Sequence, residues 1–252
     1  MTREIRVLRG GHPGTAACDT ALSAVLLEAV GRGEFPECLR VWWPRDALAF
    51  SVLDRRREGF AQAVQVARDV GFEPFLRLTG GHAAVYTTET LAFAWTLPAR
   101  DSQRDVGARF DAIAALVTGA LGDLGVDARV GPVPDEYCPG AHSVNAGGRV
   151  KLVGVGQRIV RGAAHVGGVV VFRGAERVRR VLAPVYARLE LPFAPETVGA
   201  VEDEVPGIEA PALEKAFVAR FRAQANLVEC ELPSDALAQA EHGAFRHRVA
   251  EP

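Results

Sequence analysis

The stretch from residue 128 to residue 172 constrains the fold most, because it is rich in valine and glycine and poor in helix-forming residues. This composition is typical of β-strands joined by tight turns, which we place at Gly147-Gly148 and near Gly162. Further strand patterns precede it at 39–43, 47–52, 74–78, 83–87 and 90–97. The chain is therefore expected to build a sheet of many strands.

Helical periodicity alternates with these strand patterns along the chain. Residues 104–124 form the clearest amphipathic segment, because their apolar residues recur three and four positions apart. Other predicted elements are helices at 15–31, 57–70, 174–189 and 211–225, a strand near 227–232 and a short final helix. The alternation of strand pairs with helices predicts an α+β protein with a mixed, largely antiparallel sheet flanked by helices.

The domain organisation depends on one acidic, proline-rich stretch, 192–211, which is the only candidate linker in the sequence. A chain of 252 residues is long enough for one large domain with a small appendage. We therefore predict a main domain over residues 1–190. Residues 191–252 are predicted to form a small helical C-terminal extension packed on the same domain.

Composition excludes several classes of partner. Apolar residues make up 48% of the chain and the formal net charge is −2, which argues against a phosphate-binding surface for nucleic acid. No apolar run approaches the roughly 20 residues that a membrane helix needs, and the N-terminus lacks a signal-peptide core. The cysteines, Cys18, Cys38, Cys138 and Cys230, show no metal-binding spacing. We expect no metal site, free thiols and a cytoplasmic location.

A first candidate site is the segment from Arg77 through Thr79, Gly80, Gly81 and His82. Paired glycines between two strands let backbone N–H groups approach a ligand, and a nearby arginine can hold a carboxylate or a phosphate. The alternative is a plain hairpin turn with an exposed arginine and histidine.

A second candidate is Cys138, which precedes Pro139-Gly140 and is therefore expected in an accessible loop. A thiol becomes a useful nucleophile when a nearby cation or base favours the thiolate. His142 follows four residues later, but this spacing in a non-helical segment does not ensure contact. The alternative is a small apolar cysteine without chemical function.

Lys151 is one of only two lysines in a chain rich in arginine, and it lies between apolar strand-like residues. A partly desolvated lysine can give up a proton or polarise a carbonyl, whereas arginine stays protonated. The alternative is a strand-edge lysine facing solvent. His165, shortly before Gly167-Gly168, either faces a ligand or hydrogen bonds to backbone.

Four motifs in order carry a resemblance to a known family. They are Asp19 in the first helix, Leu39-Arg40-Val41-Trp42-Trp43-Pro44, the segment from Arg77 to Tyr86 with the strand after it, and Lys151-Leu152-Val153-Gly154-Val155-Gly156-Gln157-Arg158. Together, over residues 15–185, they resemble the biotin/lipoate A/B protein ligase superfamily, in its lipoate-ligase and octanoyltransferase branch. Two places depart from the family pattern. His82 takes the third position of the glycine triplet, and Tyr86 begins the segment where the family commonly has a His-Asp or His-Glu pair.

The resemblance implies a mixed sheet flanked by helices, with an acyl chain held in a tunnel near the Gly-Gly loop. It implies that Cys138 takes the acyl group as a thioester and that Lys151 assists. The substrate-binding residues that it implies are Arg77, Thr79, Gly80, Gly81, His82, Ala83, Gly154, Gly156, Gln157 and His165.

Three functions are compatible with the resemblance. The first is an octanoyl- or lipoyltransferase that needs no cofactor and acts on acyl carrier protein or on lipoyl-domain proteins, such as glycine cleavage H protein and E2 subunits. The second is a lipoate–protein ligase that uses ATP and Mg²⁺, in which Cys138 has no required role. The third is a non-catalytic acyl-binding protein of the same fold.

Overall fold

The computed structural model describes residues 3–99 and 105–250. The strands are β1 (Glu4–Arg9), β2 (Cys38–Trp42), β3 (Ala47–Phe50), β4 (Glu73–Leu76), β5 (Ala84–Tyr86), β6 (Thr90–Ala99), β7 (Ala128–Val130), β8 (Val144–Ala146), β9 (Val150–Val160), β10 (Gly162–Val171) and β11 (Asn226–Cys230). The helices are α1 (Ala16–Arg32), α2 (Val52–Arg55), α3 (Phe60–Asp69), α4 (Val106–Asp123), α5 (Ala175–Arg188), α6 (Val201–Glu204), α7 (Ala210–Arg222) and α8 (Ser234–Gly243). Within these described ranges, none of the helices combines the length and apolar composition needed to cross a membrane.

The strands form two sheets. The larger sheet has the order β11-β1-β2-β6-β10-β9-β8-β7. Its strand β1 pairs in parallel with β11 and β2, and every pair from β2 onward to β7 is antiparallel. The smaller sheet, β4-β3-β5, has one parallel and one antiparallel pair. The prediction of a mixed, largely antiparallel sheet flanked by helices is therefore confirmed.

Most predicted elements are found within a few residues of their expected bounds. The predicted helix 104–124 corresponds to α4, and its first residue lies outside the described residues. Strand β1 was not predicted, although Ile5 and Val7 alternate with exposed or half-buried charged residues and are buried. Its neighbours in the sheet come from distant parts of the sequence, so no adjacent hairpin pattern marks it.

The stretch 192–211 is packed into the protein, which corrects its interpretation as a linker. Val198, Ala200 and Val201 are fully buried, and Val198 forms an isolated bridge with Lys151 of β9. Pro195 begins a 3₁₀ turn, and Pro206 follows α6. Buried apolar side chains thus outweigh the acidic, proline-rich composition that suggested an exposed connection.

The two faces of the larger sheet carry different layers. Residues Leu39 and Val41 of β2 pack in the cluster that includes α4 and α7, where Trp95 meets Phe221 edge to face at 5.7 Å. Residues at the alternate positions of β2 face α1 instead; Cys38, for example, packs with Leu22 and Leu26 of that helix. Consequently α1 covers one face of the sheet, and the smaller sheet lies beside it.

Candidate active site

A cavity enclosing about 880 Å³, its open mouth included, lies between α1, the larger sheet and the smaller sheet. Its apolar wall includes Phe75, Leu78, Phe93, Val155 and Val169. Strands β9 and β10 contribute glycines, which keep the cavity wide because they carry no side chains. A Cβ at Gly156 would lie 2.6 Å from Thr79 Oγ1, so glycine is needed for the Gly-Gly loop to pack on β9. The apolar part of this lining suits a chain of apolar carbon atoms.

Cys138 lines this cavity from the loop 131–143 and is half-buried. Its Sγ lies 3.3 Å from Arg77 Nη2 and 3.2 Å from the backbone nitrogen of His82. The Cys138 N–H donates to the Tyr186 hydroxyl at 2.7 Å, and that hydroxyl donates to the Ala83 carbonyl at 2.9 Å. Cys138 has a left-handed backbone with φ of +43°, a conformation that these contacts hold in place.

The electrostatic surroundings favour the thiolate of Cys138. Burial alone raises the pKa of this thiol, but the Arg77 guanidinium, the Lys151 ammonium and the His82 N–H together bring the pKa below its ordinary value. Cys38 is the contrast, because burial raises its pKa to about 12. The surroundings of Cys138 thus favour its thiolate, the form in which a thiol is nucleophilic, whereas those of Cys38 favour the protonated thiol.

Lys151 is fully buried and hydrogen bonds to the loop that carries Cys138. Its Nζ donates to Glu136 Oε1 at 2.9 Å, to the Tyr137 carbonyl at 2.9 Å and to the Cys138 carbonyl at 2.8 Å. These bonds use all three hydrogens of the ammonium group. Burial lowers the pKa of Lys151, although Cys138 and Glu136 oppose that effect. The alternative of a lysine facing solvent at a strand edge is wrong, since the side chain is 0% exposed.

The Gly-Gly loop is folded tightly around the Cys138 sulfur. Gly81 has φ of +102°, and a Cβ there would lie 2.1 Å from Arg77 Nη2 and 2.7 Å from Cys138 Sγ. Arg77 Nη2 also donates to the Gly80 carbonyl. The Nε of Arg77 is buried and has no hydrogen-bond partner within the described part of the chain. The loop therefore differs from a plain hairpin turn, because its main chain and its arginine both contact the Cys138 sulfur.

The histidine of this loop has an acidic partner. His82 Nδ1 lies 2.8 Å from Asp54 Oδ1, and the Asp54 carboxylate is 0% exposed while the His82 side chain is 24% exposed. Asp54 was not predicted as a site residue. The sequence held a signal for it, because Ser51 and Asp54 have the spacing of a capping box, which the structure forms at α2.

The structure separates the sequence-predicted site residues into groups. Those that line the cavity are Arg77, Thr79, Cys138, Gly154, Gly156 and His165. Those that form the adjoining loop are Gly80, Gly81, His82 and Ala83. Lys151 lies beneath the Cys138 loop. Gln157 faces α4, where it accepts from Arg109 at 2.5 Å and donates to the Val106 carbonyl at 3.3 Å.

Two further histidines are placed by the structure. His165 is buried, with Nδ1 3.4 Å from Thr96 Oγ1, and burial together with Arg40 lowers its pKa to about 3. It is therefore a neutral part of the cavity wall. His142 lies 2.9 Å from Asp111 and stacks on Phe110, so its ring is paired with α4.

Glu136 and Tyr186 are two neighbours of Cys138 that sequence patterns did not indicate. Glu136 is 1% exposed and pairs with Lys151. The one feature of the sequence that could have indicated it is its position two residues before Cys138. Tyr186 reaches the loop from α5, and no local pattern marks it.

This combination of a mixed sheet, an apolar cavity and a Gly-Gly loop at its mouth is the fold of lipoate protein ligases. A putative lipoate protein ligase from T. acidophilum with bound lipoic acid superposes with a TM-score of 0.75 at 17% identity, covering 98% of this chain and 96% of that chain. A lipoate-protein ligase A bound with ATP gives a TM-score of 0.76 at 17% identity, covering 98% and 95%.

Residues 16–222 match the family model described as the Lipoyl protein ligase A/B catalytic domain, and the chain belongs to that family. An octanoyl-GcvH:protein N-octanoyltransferase from Geobacillus kaustophilus is 26% identical over 235 residues, covering 92% of this chain and 78% of that protein. Further relatives of the same name align over about half of their own length. The resemblance stated from the motifs is confirmed, and the chain is an enzyme of this family.

Proposed function

We propose that the chain transfers an octanoyl or lipoyl group onto the lysine of a lipoyl domain through a thioester on Cys138. The observation that carries the proposal is the Cys138 sulfur, which lies at the wall of an apolar cavity and accepts hydrogen bonds from Arg77 and the His82 N–H. Its lowered pKa supports a nucleophilic role. The relatives named as octanoyltransferases support the reaction class.

In the first step the Cys138 thiolate attacks the carbonyl carbon of the acyl group on its carrier. A carbon–sulfur bond forms, and the bond from the acyl carbon to the carrier's sulfur or nitrogen breaks. The leaving group departs as a thiolate, or as an amine once it has taken a proton. The Arg77 guanidinium, whose Nη2 lies 3.3 Å from Cys138 Sγ, adds positive charge beside the developing oxyanion.

In the second step the lysine amine of the acceptor attacks the thioester carbonyl. The carbon–sulfur bond breaks, an amide forms, Cys138 returns to the thiolate and one proton leaves the attacking nitrogen. Lys151 acts as a positioning residue in both steps, because its ammonium fixes the carbonyls of Tyr137 and Cys138 and adds positive charge beside the sulfur.

The partners follow from the same chemistry. We propose that the acyl donor is an acylated carrier protein. The name of the Geobacillus kaustophilus relative favours an H protein as this donor, and acyl carrier protein is the alternative. The proposed acceptor is a lipoyl domain, such as that of an E2 subunit. Nucleic acid and membranes have no place in the reaction, and the free thiols fit a cytoplasmic location.

We further propose that residues 1–190 carry the catalysis and that 191–252 are an extension on the same domain, whose β11 pairs with β1.

The ligase alternative requires ATP and Mg²⁺, and it needs a cation that can contact the phosphate of an acyl-adenylate. The described residues fit this need less well. The three hydrogens of the Lys151 ammonium are donated to the Cys138 loop and its glutamate, and one guanidinium nitrogen of Arg77 is held by the Cys138 sulfur and the Gly80 carbonyl. The transferase is therefore the favoured function.

The test is a transfer assay from octanoylated H protein to an apo lipoyl domain without ATP. We expect acceptor octanoylation with the natural chain and with Cys230→Ser, the matched control at another half-buried cysteine. Loss of transfer is expected in Cys138→Ser. Modification that appears only with ATP and free lipoate supports the ligase instead, and acyl binding without any transfer supports a binding protein.

A further inference from the structure

The histidine of the Gly-Gly loop is held by a buried carboxylate in one orientation. Asp54 Oδ1 lies 2.8 Å from His82 Nδ1, and Asp54 Oδ2 accepts from the Ser51 backbone N–H at 2.8 Å. Both carboxylate oxygens thus have fixed partners. A carboxylate at Nδ1 places the ring hydrogen on that nitrogen, so that Nε2 of the neutral ring carries the free lone pair. This is the arrangement of a base with an orienting acid.

The same residue touches the nucleophile through its main chain. The His82 backbone N–H donates to Cys138 Sγ at 3.2 Å, so the ring is attached to the residue that contacts the sulfur directly. Cys138 is part of the cavity wall, but the His82 ring is not among the described residues that line the cavity. The His82 side chain is 24% exposed. The His82 ring is therefore part-exposed at the Gly-Gly loop and is not itself part of the cavity lining.

An acceptor lysine arrives from the solvent side, because the folded domain that carries it is too large to enter the cavity. Its amine must lose a proton as it attacks the thioester. The attacking nitrogen has to reach the carbonyl carbon bonded to Cys138 Sγ, next to the His82 main chain. The part-exposed imidazole belongs to the residue whose backbone N–H contacts this sulfur, which makes it a candidate for the proton acceptor that the step needs.

Four other titratable groups of the cavity and the Cys138 loop are less suited to this role, as the described residues 3–99 and 105–250 show. The Lys151 ammonium is buried and donates all of its hydrogens. The Tyr186 hydroxyl accepts from Cys138 and donates to Ala83. His165 is buried in the cavity wall, and His142 is paired with α4.

We propose that His82 is the general base for the attack of the acceptor lysine on the Cys138 thioester, with Asp54 as its positioning residue. The inference rests on the proposed function. As the amine nitrogen bonds to the thioester carbon, the carbon–sulfur bond breaks and Cys138 leaves as a thiolate. The proton from the nitrogen goes to His82 Nε2, and the imidazolium is stabilised by Asp54 until it releases the proton to water. Nothing is oxidised or reduced.

The experiment separates loading from transfer. The full chain is first acylated with a small octanoyl thioester, whose thiolate leaving group needs no acid, and the loaded protein is then mixed with an apo lipoyl domain in a single turnover. We expect His82→Gln to load Cys138 at the natural rate and to transfer about 10²- to 10⁴-fold more slowly, with partial rescue by added imidazole. Asp54→Asn is expected to load normally and to transfer more slowly.

The matched control is His142→Gln, which removes the ring of another His–Asp pair of similar length, 2.9 Å, and is expected to leave both steps unchanged. The pH profile gives a second readout, because His82→Gln should change the pH dependence of transfer and leave the pH dependence of loading as it is in the natural chain. Among the described residues, Asp54 pairs with the His82 ring, and Cys138 accepts from the His82 backbone N–H and from Arg77.

Transfer by His82→Gln at the natural rate overturns the proposal. A His82→Gln protein that folds but cannot load also overturns it, because the histidine would then be needed to form the Cys138 thiolate and not to accept the proton of the acceptor lysine. If His82→Gln does not fold, Asp54→Asn decides: an altered pH profile with normal loading supports the proposal, and an unaltered profile overturns it. Failure of the proposed function is distinct, since the natural chain itself would not load Cys138.

Discussion

Replacing Lys151 by methionine removes the charge that compensates Glu136 in the core. Both side chains are 0% exposed, and the Nζ–Oε1 distance is 2.9 Å. Breaking a buried pair from one side costs about 3–5 kcal/mol, because a carboxylate stays buried without its counter-charge. The carbonyls of Tyr137 and Cys138 also lose their donor, while the methionine chain keeps part of the packing of the lysine stem. We expect the free energy of unfolding to fall by about 4 kcal/mol, a large part of the 5–15 kcal/mol typical of a domain.

The measurement is urea unfolding followed by tryptophan fluorescence and by far-UV circular dichroism. The matched variant is Lys151→Met combined with Glu136→Gln, which removes the stranded charge but keeps an acceptor for Ser143, whose Oγ lies 2.5 Å from Glu136 Oε1. The double variant should recover about 2 kcal/mol relative to Lys151→Met, because coupled residues are not additive. The reasoning is refuted if Lys151→Met lowers the free energy of unfolding by less than about 0.5 kcal/mol, as a change at an ordinary surface site does. It is also refuted if the double variant loses the sum of what the two single variants lose.

Three further outcomes are expected. Alkylation of Cys138 by iodoacetamide should have its midpoint below pH 9.0, the ordinary thiol value, and Arg77→Gln should move it upward, because a cation that favours the thiolate is lost. Gly81→Ala should prevent acyl loading, whereas Gly80→Ala should leave it intact, since a Cβ at Gly80 meets nothing within 4 Å. His165 has a folded pKa of about 3 against an ordinary 6.5, so the unfolded chain binds the extra proton, and stability should fall below pH 6.5 by up to about 1.4 kcal/mol per pH unit. His165→Asn should flatten that slope.

Each of these outcomes has a clear contrary result. Peptide mapping assigns the alkylated thiol, and an unmoved midpoint in Arg77→Gln would show that the guanidinium does not set the thiolate population. Equal loading of the two glycine variants would contradict the close approach at Gly81. An unchanged acid slope in His165→Asn, measured by urea unfolding at several pH values, would mean that the histidine is protonated in the folded protein.

Local patterns in the sequence predicted much of the fold. The periodicity of α4 and the turns at Gly147-Gly148 and Gly162 are properties of neighbouring residues, and each was found where it was expected. By contrast β1 gains its partners from β11 and β2. The parallel pairing with β11 joins the two ends of the chain, a non-local contact that no sequence window contains.

The same distinction applies to the site. The motifs indicated Cys138, Arg77 and Lys151 as chemically important, but not their contacts. Lys151 pairs with Glu136, 15 residues earlier, and His82 pairs with Asp54, 28 residues earlier. Both pairs depend on how loops fold over strands, which is decided by the packing of the whole domain rather than by residue spacing.

The most direct test of the proposed thioester is intact-mass spectrometry of the chain after incubation with an octanoyl thioester and no ATP. We expect a gain of one octanoyl group that is removed by hydroxylamine, that persists in Cys230→Ala and that is absent in Cys138→Ala. An adduct that survives in Cys138→Ala, or no adduct on the natural chain, would contradict the assignment of Cys138 as the acyl-carrying nucleophile.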